Sequence, residues 1–285
     1  MKKISLVALF AALVMTANAT DIWTGTKHVS WSDGGVQIAA DQFTAAQPGQ
    51  KIVVSFNGAS DGIEFKVMNQ FFDHLAGSRE AAWISGDGAF EQFLTPAAVD
   101  SLKAYGLEII GANFNCTNVA LEDGKAELKE GFTVWTGYFW VDDEGGWKTL
   151  ELYWNGFAGV DWDKATALRI YTEAKGPDYI INVKENWEEG GQIAGQDEMT
   201  DGEGYKELAL TEELRTRLAN ANHWMIQFSH KDLDKFNVTD VVLVGDFTTA
   251  IDNTAAESKA VKFFENGQLV IIKNGVKYNA LGAQL

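Results

Sequence analysis

The pentapeptide Gly58-Ala59-Ser60-Asp61-Gly62 fits G-x-S-x-G, the turn that presents a serine nucleophile in many hydrolases. That chemistry needs a strand-to-helix turn in a mostly parallel sheet. Here the pentapeptide lies between two β-rich runs, Lys51 to Phe56 and Ile63 to Val67, and reads as a hairpin turn. The histidines are His28, His74, His223 and His230, with no HExxH and no i,i+4 pair, so no zinc site is expected. The single cysteine, Cys116, excludes an intramolecular disulfide and a multi-thiolate metal site. Carboxylates cluster at Asp142-Asp143-Glu144, at Asp161 and Asp163 around Trp162, and at Asp197, Glu198, Asp201 and Glu203. Glycoside hydrolysis needs two carboxyls about 5–10 Å apart across a cleft. With 40 Asp and Glu no such pair stands out, and the runs read as solvated faces. Asp197-x-x-x-Asp201-Gly202 lacks the spacing and closing Glu of an EF-hand.

The aromatic residues carry the sharper signal. There are 10 Trp and 17 Phe. Sugar rings stack their C–H faces on Trp or Tyr while nearby amides and carboxylates fix the hydroxyls. Trp147, Trp162 and Trp187 sit beside Gly or acidic residues in turn-like contexts and are the candidate stacking residues. Trp31 and Trp83 are their analogues earlier in the chain. Trp23 and Trp135 occupy one repeated position and are expected to pack structurally, and Trp224 opens an apolar strand and belongs in the core.

The elements that must position these residues come in two copies. Trp23-Thr24-Gly25 recurs as Trp135-Thr136-Gly137, Leu94-Thr95 as Leu210-Thr211, and Thr117-Asn118-Val119-Ala120-Leu121 as Thr239-Asp240-Val241-Val242-Leu243. The order is kept and the offset grows slowly, as in a tandem duplication with small insertions. The units run 20–124 and 131–246, joined by the charged, Gly-bracketed segment Glu122 to Gly131, which reads as a short linker. Strand runs dominate each unit. In the second, Ala167 to Thr172 and Tyr179 to Val183 flank a Gly176-Pro177-Asp178 turn. One short helix per unit starts after a Thr cap, Thr95 before Pro96 and Thr211 before Glu212, and each is followed by an apolar strand, Leu107 to Ile110 and Trp224 to Phe228. The expected fold is all-β: two tandem β-sandwich, jelly-roll-like domains, each with one short helix, then a C-terminal hairpin segment.

The W-x-G start, strand-rich middle, Leu-Thr helix and closing T-x-V-x-L strand resemble the galactose-binding-like jelly rolls, which form many carbohydrate-binding modules. That resemblance covers both units. It implies a glycan ligand and is compatible with a structural calcium, whose ligands the sequence does not place. Beyond a small polar linker (247–258), the tail 259–285 holds three strand-like runs separated by Asn266-Gly267 and Asn274-Gly275. Its ENGQLVIIKNGVKYNALGAQL resembles the C-terminal sorting domains of the type IX secretion system of Bacteroidetes, although it stops at Gln284-Leu285 without the basic residues many such tails carry. The resemblance implies an address read by an outer-membrane machine.

Residues 1–19 read as a secretory signal: Lys2-Lys3, an apolar run from Ile4 to Met15, and Ala17-Asn18-Ala19 as cleavage site. Net charge is −17, and near −19 once Lys2 and Lys3 are removed, which disfavours nucleic acid and anionic membranes as partners. No other apolar run is long enough to span a bilayer. The expected protein is secreted or displayed on the outer-membrane surface, non-catalytic, and binds a poly- or oligosaccharide. The alternatives are a glycoside hydrolase or lyase on a β-sandwich scaffold, and a structural or adhesive surface protein.

Overall fold

The computed structural model describes residues 19–78, 82–125, 127–142, 146–174, 179–230 and 235–247, and the backbone of 261–265, 268–273 and 276–279. Most of the signal segment, most of the linker, the Gly176-Pro177-Asp178 turn and both tail Asn-Gly turns lie outside the described residues. The chain divides at Gly245 into two compact units, Met1–Gly245 and Asp246–Leu285.

The first unit holds both sandwiches. The first sandwich comprises β1 (Ala19–Val29), β2 (Val36–Ile38), β3 (Lys51–Met68), β4 (Ala82–Phe93), α1 (Pro96–Tyr105), β5 (Leu107–Gly111) and β6 (Phe114–Glu122). The second comprises β7 (Phe132–Val141), β8 (Lys148–Tyr153), β9 (Ala165–Thr172), β10 (Tyr179–Lys184), β11 (Gln192–Ala194), β12 (Met199–Gly202), β13 (Tyr205–Ala209), α2 (Glu212–Asn220), β14 (His223–His230) and β15 (Phe236–Gly245). Every strand pairing is antiparallel. The fold is the all-β sandwich architecture expected. The second unit is a three-stranded meander of β16 (Val261–Glu265), β17 (Gln268–Lys273) and β18 (Val276–Asn279).

The expected hairpin turn at Gly58–Gly62 is not formed. β3 runs unbroken through it, and β4 pairs with both of its halves. Ile52, Val54 and Phe56 face the core before the pentapeptide, and Ile63, Phe65 and Val67 after it. Gly58 (φ 68°) and Gly62 (φ 63°) take left-handed backbone conformations and bulge the strand. Side chains of β4 satisfy the displaced amides. Gly58 N–H donates to Asp87 Oδ1 at 2.9 Å, and Gly62 N–H to Ser85 Oγ at 2.9 Å, whose hydroxyl donates to Asp61 Oδ1 at 2.8 Å. With its amides paired across the ladder the strand bends instead of reversing. Its first half pairs with β6 and its second half with β5, so one strand serves both faces of the sandwich. In the second sandwich the same path is split into β9 and β10, and two separate sheets result, ordered β12-β13-β9-β15-β7 and β11-β10-β14-β8.

The repeat holds at the level of register. Trp23 pairs with Val119 and Thr24 with Asn118; Trp135 pairs with Val241 and Thr136 with Asp240. Bulges fall on either side of these pairs in both ladders. In each copy the indole lies over the glycine two residues on. A Cβ on Gly25 would stand 3.4 Å from Trp23 Cζ2, and one on Gly137 only 2.8 Å from Trp135 Cζ2. The helices match too: Thr95 Oγ1 accepts from Ala98 N–H and Thr211 Oγ1 from Leu214 N–H. Trp224 is fully buried under Phe157, stacked at 4.2 Å, and its Nε1–H donates to Leu218 C=O at 3.1 Å.

The segment between the sandwiches is packed rather than free. Lys125 N–H donates to Gly49 C=O. Its ammonium reaches Thr239 C=O at 2.5 Å and both oxygens of the buried Asp240 at 3.2 Å. It also lies over the rings of Tyr138 (5.1 Å) and Phe93 (5.9 Å). Burial holds the Lys125 pKa below its ordinary value, against the pull of Asp240. On the other side of the joint His74 stacks face to face on Tyr153 at 4.1 Å.

Removing one member of a buried ion pair strands the other. Lys125→Met is therefore expected to cost about 3–5 kcal/mol in chemical denaturation. Adding Asp240→Asn, the amide that Asn118 supplies at the equivalent place, should return most of the loss. Equal stability of wild type and Lys125→Met would remove this pair from the account of the joint.

Candidate functional site

An antiparallel sheet that buries alternate residues must turn the others outward. On the second half of β3 the outward residues are Glu64 and Lys66. Glu64 pairs across the ladder with Trp83 of β4, so the two side chains share a face. The Lys66 ammonium sits 3.0 Å from Glu64 Oε1 and 6.0 Å above the Trp31 ring. Two indoles, Trp31 at 51% and Trp83 at 67% exposure, thus flank one ion pair. They form an open aromatic platform with a charged centre.

Trp31 is held there by its turn. Ser30 C=O accepts from Gly34 N–H at 3.0 Å, and Ser30 Oγ donates to Asp33 Oδ2 at 2.8 Å. The turn then closes on β5. The Lys27 ammonium donates to Gly35 C=O, and the buried Glu108 pairs across the ladder with Gln37. A Cβ on Gly35 would stand 2.0 Å from Ile109 O, so only glycine allows this approach. Burial pushes the Glu108 pKa up, against the hydrogen bond from Gln37 and the charge of Lys27.

The equivalent face of the second sandwich is built from amides. Val183 pairs with Ile226 as Val67 pairs with Ile109, so Asn182 takes the place of Lys66 and Ile180 that of Glu64. Gln227 lies beside Asn182. A groove of about 490 Å³ runs along this edge, lined by Ile180, Asn182, Gln192 and the segment Gly195–Glu198. Gly195 is its tightest point. A Cβ there would meet Gln192 Nε2 at 2.9 Å, Glu198 Oε2 at 3.3 Å and Asn182 Oδ1 at 3.4 Å. Glu198 is fixed by Gly195 N–H at 2.8 Å. Gln196 keeps a buried Oε1 with no hydrogen-bond partner among the described residues. Amide donors and acceptors side by side match hydroxyl groups, which both donate and accept.

Of the other candidates, Trp147 (49% exposed) immediately precedes β8, and Trp187 (57%) follows β10 with the Lys184 ammonium 5.4 Å from its ring. Trp162 is only half-buried yet meets Trp224 and Phe157 edge-on, at 5.9 and 6.4 Å, so it covers the core rather than standing clear of it. Trp140 (56%) and Trp154 (51%) are exposed and were not among the candidates. Trp140 was readable from period two, because Phe139 and Val141 on either side are buried.

Ser60 lies in a bulged strand. Cys116 is buried and its thiol is pushed up to about 12. Among the described residues no three His, Cys, Asp or Glu side chains gather as metal ligands, and no helix is long and apolar enough to cross a membrane.

No family model matches this sequence, and no curated protein matches it. Among solved structures it is similar to SGBP-B of the Bacteroides ovatus mixed-linkage glucan utilization locus, solved with a mixed-linkage heptasaccharide: 17% identity, TM-score 0.33, over 36% of this chain and 30% of that one. The matched part is thus under a third of that protein. It is also similar to a Parabacteroides distasonis protein described only as secreted, at 10% identity and TM-score 0.22, over 79% of this chain and 87% of that one. Likenesses of this size say nothing about what the chain binds.

The Trp31 turn generates a pH test. A carboxyl whose folded pKa lies above its unfolded value makes the fold bind an extra proton, so its contribution to stability falls as pH rises through that window. Glu108→Gln removes the cost of the buried charge. It is expected to melt about 2–4 °C above wild type at pH 8, with the gap closing toward pH 4. A pH-independent difference would contradict the assignment.

Proposed function

We propose that the chain is an exported or surface-displayed, non-catalytic glycan-binding protein that stacks sugar rings on exposed tryptophans of its sandwiches. The observation that carries this reading is the Trp31–Lys66–Glu64–Trp83 platform, with the amide-lined groove on the equivalent face of the second sandwich. Two indoles on one face with polar groups between them offer apolar ring surface beside hydrogen-bonding partners, the combination a sugar ring uses. A fixed pair of such faces on one chain would raise avidity for a polymer. Trp147 and Trp187 remain stacking candidates on the second sandwich.

A binding rather than hydrolytic role is supported by the groove's two carboxylates. Asp197 and Glu198 are adjacent in sequence, and Glu198 is tied to Gly195 N–H rather than facing a partner across a cleft. Export through the 1–19 signal and sorting by a type IX machinery through the 259–285 tail belong to the same reading and rest on sequence resemblance. A structural calcium, with ligands unassigned, is a further part of it.

The test is a broad glycan-array screen of the purified chain, with and without EDTA. Saturable binding is expected, weakened at least tenfold by Trp31→Ala or Trp83→Ala, with no reducing sugar released over many hours. Sensitivity to EDTA would place a cation in the site. A blank array on folded protein would overturn the reading in favour of a structural or adhesive role, and product release would overturn it in favour of a hydrolase or lyase.

A further inference from the structure

Beside the strand β10, at one end of the second sandwich, lies a separate pocket of about 260 Å³. Glu185 and Asn186 line one side, and Asn220, Ala221, Asn222 and His223 the other. Its amides are only partly used. Asn186 Oδ1 accepts from Glu188 N–H at 3.0 Å, which leaves its Nδ2 as a donor. Asn220 Nδ2 donates to Thr216 C=O at 2.9 Å, which leaves its Oδ1 as an acceptor. The exposed Asn222 side chain makes no hydrogen bond among the described residues. Glu185 is neutralised by Arg217 Nη2 at 2.7 Å, so the lining offers donors and acceptors without a free charge.

Two tryptophans with exposed side chains neighbour its lining residues along the backbone. Trp187 follows Asn186 directly, and Trp154 N–H donates to Asn222 C=O at 2.9 Å. In the first sandwich the matching place is aromatic. Val67 and Val183 are equivalent by register, so Asn69–Phe71 corresponds to Glu185–Trp187. There Phe71 meets Tyr105, at the end of α1, edge to face at 5.2 Å. The amide pocket is therefore a feature of the second copy.

We propose that this pocket binds one terminal ring of a neutral glycan, a site distinct from the sheet faces; the assignment rests on the glycan-binding reading above. Two observations carry it. The volume lies under the roughly 300–1,000 Å³ of pockets for drug-sized ligands, which suits a single ring. The unused amide groups include both donors and acceptors, as hydroxyls require. In this assignment the bound ring stacks on one of the two neighbouring exposed indoles.

The test is saturation-transfer NMR of the full chain with D-glucose, D-galactose, D-mannose and N-acetylglucosamine, beside a polysaccharide pull-down on the same samples. At least one monosaccharide should give a saturable signal. It should weaken tenfold or more in Asn222→Ala and in Trp154→Ala, both at exposed positions that leave the fold intact, and persist in the Trp31→Ala/Trp83→Ala double variant. No monosaccharide signal, or one unchanged by Asn222→Ala and Trp154→Ala, overturns the pocket. If the pull-down still succeeds, the pocket alone has failed. If it fails as well, the glycan-binding reading goes with it.

Discussion

Each sandwich is closed by one long-range ladder, the pairing of its first strand with its last. β1 meets β6 and β7 meets β15 with their tryptophans opposite Val119 and Val241, and with bulges at the same steps. The segments 30–113 and 142–235 are organised between the two strands of each ladder. The indole folded onto Gly137 leaves no room for a Cβ, and Gly25, at φ 149°, holds a backbone conformation that L side chains rarely adopt. Once the ladder is in register, the strands between it inherit their inward and outward faces, since a one-residue slip would exchange the two. The exposed platform at Trp31 and Trp83 follows from that choice.

The two copies then diverge where pressure on the core is least. In the first, a single bent strand carries both faces, held by bulges whose amides are paired to Ser85 and Asp87. In the second, the bend has become a break, and the amides of the groove and of the end pocket lie on or just after β10, on the segment 192–198, and at or just after the end of α2. The joint between the copies is stiffened by Lys125 and by the His74–Tyr153 stack, so the outward faces are held on one compact unit.

Much of this was legible in the residues. The three repeated segments located the closing ladders and both helix caps, because caps and strand-pairing positions depend on local chemistry that duplication preserves. The Gly58–Gly62 turn was misread because glycine spacing marks a positive φ without telling whether the chain reverses or bulges; that depended on Ser85 and Asp87, more than twenty residues away. Exposure of Trp31, Trp83, Trp147 and Trp187 agreed with their polar or turn contexts. Trp162 had the same kind of context and instead packs on Trp224, since a short 3₁₀ turn lays its ring against the core. The amides Asn182, Gln192 and Gln196 carry no sequence signal of their own; the fold brings them together around Gly195.

Oxidative footprinting of the full chain, with and without the polysaccharide retained in the pull-down, reports whether the exposed indoles are a ligand surface. Ligand is expected to shield Trp31 and Trp83 from oxidation while Trp23 and Trp162 react equally in both samples. Equal oxidation of Trp31 and Trp83 with and without saturating ligand would contradict it.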